Sequence, residues 1–199
     1  MSVARTRNVL TVPNLITAVR LACLPVFLWL LFGRDMNALA AVLLGILGIT
    51  DWVDGWVARR FDQASQFGAI FDPATDRVLF IVGTGDVLAS GAIPLWFGVA
   101  IITRECAVGA AMVIATLFRM RRFEVSLLGK RYTFLLMMAV PLLLLGSSDH
   151  TTASLAEVTG WVLGIPGLVL CYYTAFAYIP KIRENLVAGR RQSTVVEEG

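Results

Sequence analysis

Hydrophobic residues in this chain fall into six long runs broken by short polar connections. The runs are Asn14 to Phe32, Asn37 to Val57, Asp72 to Ser90, Pro94 to Phe118, Leu127 to Leu145 and Leu155 to Ala177. Each is close to the roughly 20 residues that a helix needs to cross the hydrocarbon layer of a bilayer. The connections carry turn chemistry, such as Gly33-Arg34-Asp35, Ser90-Gly91 ahead of Pro94, and Gly146-Ser147-Ser148. The pattern predicts an all-α integral membrane protein with six transmembrane helices. It predicts one membrane domain over residues 1–188 and a polar, disordered tail over residues 189–199. Met1 to Leu10 lacks a cleavable signal pattern, so the first helix is expected to stay in the protein.

Basic residues sort the connections into two classes. Arg5 and Arg7 precede the first span, Arg59 and Arg60 follow the second, and Arg119, Arg121, Arg122, Lys130 and Arg131 follow the fourth. Lys181, Arg183, Arg190 and Arg191 follow the sixth, whereas the remaining connections hold Arg34 alone. Excess Lys and Arg mark cytoplasmic loops, so both termini are expected in the cytoplasm, with the chain multi-pass in the cytoplasmic membrane.

Composition narrows the chemistry. Of 199 residues, 57% are hydrophobic and 16% charged, which excludes an ordinary soluble domain. Lys and Arg number 17 against 14 Asp and Glu, too even a balance to predict a nucleic-acid partner. Cys23, Cys106 and Cys171 lie far apart in apolar runs, and His150 sits in a polar loop. A disulfide framework, a thiolate or imidazole metal site and a His-dependent triad are therefore excluded, and carboxylates are left to do the chemistry.

Those carboxylates are concentrated. Asp51, Asp54, Asp62, Asp72 and Asp76 crowd between the second and third spans. Asp51 and Asp54 are three apart at the end of one span, and Asp72 and Asp76 are four apart at the start of the next. Each pair thus shares a helical face, and an antiparallel hairpin brings the two faces together. Four converging carboxylates repel unless cations lie among them. Oxygen-only ligands select hard ions, so two Mg²⁺ or Mn²⁺ ions are the expected cofactors, with positions left open for phosphate oxygens. Helix capping explains less of the cluster. Asp72 ahead of Pro73 suits a helix start, but Asp51 and Asp54 lie at a helix end, where the dipole disfavours them. Asp62 reads as an ordinary loop residue. Gly55, Ala58 and Gly68 let a ligand approach the backbone, and Arg59 offers a fork for phosphate.

The run Asp51-x2-Asp54-Gly55-x2-Ala58-Arg59-x8-Gly68-x3-Asp72-x3-Asp76 resembles, at every fixed position, the signature of the CDP-alcohol phosphotransferase family. Thr11-Val-Pro13-Asn14-Leu-Ile-Thr17-Ala-Val-Arg20 with Leu24-Pro25 is similar to the opening helix of the branch holding phosphatidylglycerophosphate synthases and CMP-forming cardiolipin synthases, as are Thr103-Arg104-Glu105 and Gly129-Lys130. The resemblance implies transfer of a phosphatidyl group from CDP-diacylglycerol to an alcohol with release of CMP, by a homodimer whose site faces the cytoplasm. It further implies that Asp51, Asp54, Asp72 and Asp76 hold the metals, that Asp76 is the general base, and that Gly55, Ala58, Arg59 and Gly68 hold the cytidine diphosphate. A positioned base and charge neutralisation at phosphorus are what such a transfer requires.

The acceptor is read from other residues. Arg104, Lys130 and Arg131 are candidates for the acceptor phosphate, with glycerol 3-phosphate the first expectation and phosphatidylglycerol the second. Ala74-Thr75-Asp76-Arg77 stands where many phosphatidylglycerophosphate synthases have Leu-Ala-Asp-Lys, a departure that bears on the acceptor. Arg20 and Arg77 also read as structural partners of the acidic cluster, and Glu105 as a partner for Arg104. An inositol phosphate acceptor fits the opening helix less well. A small cation transporter is the alternative outside enzymes, but it predicts carboxylates near mid-span, and away from the cluster Asp86 is the one well inside a run.

Overall fold

The computed structural model describes the backbone of residues 12–61, 68–117 and 127–197, and the side chains of residues 15–50, 75–110 and 133–177. Among these residues the chain is all helical, without strands. Helix α1 (Val12–Leu28) passes into a π-helical turn (Trp29–Gly33), and α2 (Asn37–Phe61), α3 (Gly68–Ala89), α4 (Leu95–Leu117), α5 (Leu127–Gly146) and α6 (Ala153–Glu197) follow. Each expected apolar run corresponds to one helix.

Their ends differ from the pattern in three places. Pro25 lies inside α1, and the helix widens into the π turn just beyond it, where the missing N–H has already disturbed the ladder. Helix α3 begins at Gly68, a full turn ahead of Asp72, so the Asp72-Pro73 pair is inside the helix and does not cap its start. Helix α6 continues to Glu197, past residue 189 where a disordered tail was expected. Beyond Pro180 that stretch contains no further proline, and Arg, Gln, Glu and Leu sustain a helix well.

Tight connections make neighbouring helices antiparallel. Asp35 takes a positive φ of 52° between the π turn and α2, a conformation that Asp tolerates better than most residues. Gly91, with φ 79°, turns the chain from α3 to α4. Phe27, Leu31, Phe80, Val87, Phe97, Ile101, Leu136, Val140 and Leu144 form the buried centre, drawn from α1, α3, α4 and α5. Helix α6 packs against this centre through small residues. A Cβ on Gly160 would stand 2.8 Å from Leu143 Cγ, and one on Gly164 would stand 2.9 Å from Phe97 Cζ, so both positions need glycine for the helices to approach this closely.

The outer faces are apolar. Leu15, Val19, Val42, Ile46, Leu155, Val162, Val169, Tyr173 and Phe176 are all exposed. Exposed aliphatic residues on this scale are the mark of a surface solvated by lipid. The segments Leu15–Gly33 and Ala153–Ala177, of 19 and 25 residues, are long and apolar enough to cross a membrane. Asn37–Thr50 and Thr133–Gly146 are shorter apolar helices. Arg34 lies over the Trp29 ring at 4.8 Å, as expected for a cation anchored beside an aromatic at a membrane surface.

Candidate active site

The site is built around Asp76. Thr17, Arg20, Phe27 and Leu31 are buried at helical spacing, so one face of α1 turns inward and carries a cation with it. Arg20 Nη1 donates to Asp76 Oδ1 at 2.7 Å, and Arg20 Nη2 meets Thr17 Oγ1 at 3.4 Å. The Arg20 side chain is 4% exposed and that of Asp76 26%. The aspartate thus faces outward at the rim of the packed helices while its partner lies inside them. A short charge-assisted hydrogen bond of this kind fixes the position of the carboxylate.

Asp76 and Arg20 line a small, partly open cleft. The rest of the lining is mainly apolar and comes from four helices, including Leu24 of α1, Leu44 and Gly48 of α2, Phe80 of α3 and Val140 of α5. Helices α2 and α3 therefore flank one opening. Thr84, two turns from Asp76 on α3, also lines the cleft, and its buried Oγ1 has no hydrogen-bond partner among the described residues. Nothing in the sequence marks this residue, because a helical threonine ordinarily bonds the carbonyl one turn back.

A second charged group lies between α3, α4 and α6. Arg104 is 3% exposed and Glu105 5%. Arg104 Nη1 donates to Glu105 Oε1 at 2.6 Å, its Nε to the Cys171 carbonyl at 3.3 Å, and its Nη2 meets Thr174 Oγ1 at 3.4 Å. Arg77 Nε lies 4.0 Å from Glu105 Oε2. Tyr172 Oη donates to the Ala100 carbonyl at 3.1 Å, a further tie between α6 and α4.

The remaining residues singled out by the sequence fall on the same helices. Asp51, Asp54, Gly55, Ala58 and Arg59 belong to the last turns of α2, Gly68 opens α3, Asp72 follows it, and Lys130 and Arg131 lie near the start of α5. Their side chains lie outside the described residues. Arg104 reaches the Cys171 carbonyl of α6, and the expected Arg104–Glu105 pair is present.

Comparison with known proteins gives the family. A sequence profile described as CDP-alcohol phosphatidyltransferase matches residues 10–171. A CMP-forming cardiolipin synthase of Streptomyces coelicolor is 35% identical over 189 residues, covering 90% of this chain and 86% of that protein. A CDP-diacylglycerol–glycerol-3-phosphate 3-phosphatidyltransferase of Rickettsia typhi is 30% identical over 168 residues, covering 83% and 93%. A probable phosphatidylglycerophosphate synthase of Mycobacterium tuberculosis is 29% identical over 196 residues, covering 96% and 90%. With its Asp76-centred cleft on an all-helical, lipid-solvated scaffold and these relatives along most of its length, the chain belongs to the CDP-alcohol phosphatidyltransferase family and is a phosphatidyltransferase.

Proposed function

We propose that the protein transfers a phosphatidyl group from CDP-diacylglycerol to phosphatidylglycerol, releasing CMP and forming cardiolipin. The observation that carries this reading is Asp76, the last carboxylate of the signature, held by Arg20 in a cleft lined mainly by apolar side chains. Among the relatives, the one named a cardiolipin synthase is 35% identical and the one named for glycerol 3-phosphate 30%, which favours the lipid acceptor. Glycerol 3-phosphate, the acceptor first expected from the sequence, is the second reading, giving phosphatidylglycerophosphate by the same chemistry.

Four carboxylates on two helices fit hard divalent cations. Leu44, Leu47 and Gly48 of α2 line the cleft, and the helical period carries that stripe on to positions 51, 54 and 55. On α3 the stripe through Leu79 and Asp76 continues to position 72. Asp51, Asp54, Asp72 and Asp76 would hold two Mg²⁺ or Mn²⁺ ions, which supply charge neutralisation on the diphosphate. Gly55, Ala58, Arg59 and Gly68 hold the cytidine diphosphate, and Lys130 and Arg131 bind the acceptor phosphate. The same role for Arg104 requires its guanidinium to leave Glu105 and the Cys171 carbonyl, so we assign it instead to holding α4 against α6.

In the transfer, the acceptor hydroxyl oxygen attacks the phosphatidyl phosphorus, the bond from that phosphorus to the CMP oxygen breaks, and CMP leaves. Asp76 takes the hydroxyl proton, and Arg20 keeps its carboxylate aimed until it does. The enzyme crosses the cytoplasmic membrane six times as a homodimer, with both termini and the active site on the cytoplasmic side. The distribution of Lys and Arg and the family resemblance support that arrangement. The test is Asp76→Asn, which keeps the shape and loses the base. CMP release should vanish while CDP-diacylglycerol binding persists, and turnover equal to wild type would refute the general-base role.

A further inference from the structure

Arg77 follows the reactive aspartate but turns to a different neighbour. Successive residues on a helix point about 100° apart, and while Asp76 meets α1, Arg77 reaches α4. There its Nε faces Glu105 Oε2 at 4.0 Å, too long for a hydrogen bond, while the other oxygen of Glu105 is engaged by Arg104 at 2.6 Å. One turn further along α4, Gly109 makes room for the guanidinium, since a Cβ there would stand 3.1 Å from Arg77 Nη1. The Arg77 side chain is 34% exposed, and its N–H groups donate to no described residue. Glu105 thus supplies a Coulombic guide and Gly109 a cradle, and the donor edge of the guanidinium stays available one residue along the helix from the candidate base.

Resting on the proposed phosphatidyl transfer, we infer that Arg77, guided by Glu105 and cradled by Gly109, binds the phosphate of the glycerol-based acceptor. A guanidinium with open donors is suited to an anionic partner, and its fork matches phosphate oxygens. In-line displacement puts the attacking hydroxyl opposite the departing CMP. With the donor diphosphate assigned, as proposed above, to the stripe shared by α2 and α3, the acceptor would enter from the other side of Asp76, the side to which Arg77 turns. Glu105 is a positioning residue here, acting through Arg77.

Steady-state kinetics of the purified, Mg²⁺-supplied enzyme test this. KM is measured separately for CDP-diacylglycerol and for the acceptor, with phosphatidylglycerol in mixed micelles in one arm and glycerol 3-phosphate in the other. Losing one charge-assisted contact should raise the acceptor KM of Arg77→Gln about tenfold or more, with the CDP-diacylglycerol KM within about twofold of wild type. Arg77→Lys should recover most of that loss. Gly109→Ala, which favours the helix and displaces Nη1 by a few tenths of an ångström, should raise the acceptor KM about two- to fivefold. An unchanged acceptor KM in Arg77→Gln, or equal increases for donor and acceptor, overturns the inference. Should Arg77→Gln fail to fold, an unchanged acceptor KM in Gly109→Ala overturns it instead. Wild-type enzyme that releases no CMP with either acceptor refutes the underlying transferase reading, a result distinct from active enzyme with an indifferent Arg77.

Discussion

Replacing Arg20 with methionine removes the cation that holds Asp76 while keeping an unbranched side chain in the same space. At the observed 2.7 Å, an effective dielectric constant of about 20 gives a Coulomb attraction of about 6 kcal/mol. Desolvation of a guanidinium only 4% exposed cancels much of it. Removing one member of a buried pair costs about 3–5 kcal/mol, because the other is left uncompensated. Asp76 is 26% exposed and water can solvate it, so the expected loss is lower, about 2–3 kcal/mol. Unfolding in detergent, followed by tryptophan fluorescence, should therefore show a clear drop in the midpoint for Arg20→Met. The double variant Arg20→Met with Asp76→Asn should lose markedly less than the sum of the two single losses, because the second substitution removes a carboxylate that has already lost its contact with Arg20. CMP release should also fall in Arg20→Met, since the carboxylate loses its orientation. Strict additivity of the two stability changes, together with wild-type turnover in Arg20→Met, would refute the claim that this pair organises the site.

Chelation of divalent metal should abolish CMP release, and added Mg²⁺ or Mn²⁺ should restore it; activity that persists after exhaustive chelation contradicts the role given to the four aspartates. Gly164→Val should destabilise the protein by at least about 1–3 kcal/mol through overpacking, because even a Cβ would stand 2.9 Å from Phe97 Cζ, and thermal unfolding reads this directly. Thr84→Val should leave stability unchanged or raise it by about 1 kcal/mol, since it removes a buried hydroxyl that has no partner among the described residues; a drop in unfolding temperature would place a bond on that hydroxyl.

The six helices were legible because each apolar run is nearly a membrane thickness long and the breaks between runs hold turn residues. Helix ends were less legible. Asp72-Pro73 has the local chemistry of a helix start, yet α3 begins at Gly68. The acidic signature was readable from spacing, because helical period alone aligns positions 51 with 54 and 72 with 76. Which cation serves which carboxylate was not. Arg20 and Asp76 are 56 residues apart, and their pairing follows from how α1 packs on α3. Arg104 read as an acceptor ligand because it is a cation inside an apolar run. The Cys171 carbonyl and Thr174 hydroxyl that engage it come from α6, which no local pattern connects to that position.

The most direct test of the central claim is CMP release from CDP-diacylglycerol by purified, metal-loaded protein, with phosphatidylglycerol, glycerol 3-phosphate and inositol phosphate offered separately and the lipid products identified by mass. The account predicts release with phosphatidylglycerol and a product with the mass of cardiolipin. Release with glycerol 3-phosphate alone would keep the chemistry and replace the acceptor. No release with any of the three, from folded protein, would contradict the assignment of Asp76 and its partners as a phosphatidyltransferase centre.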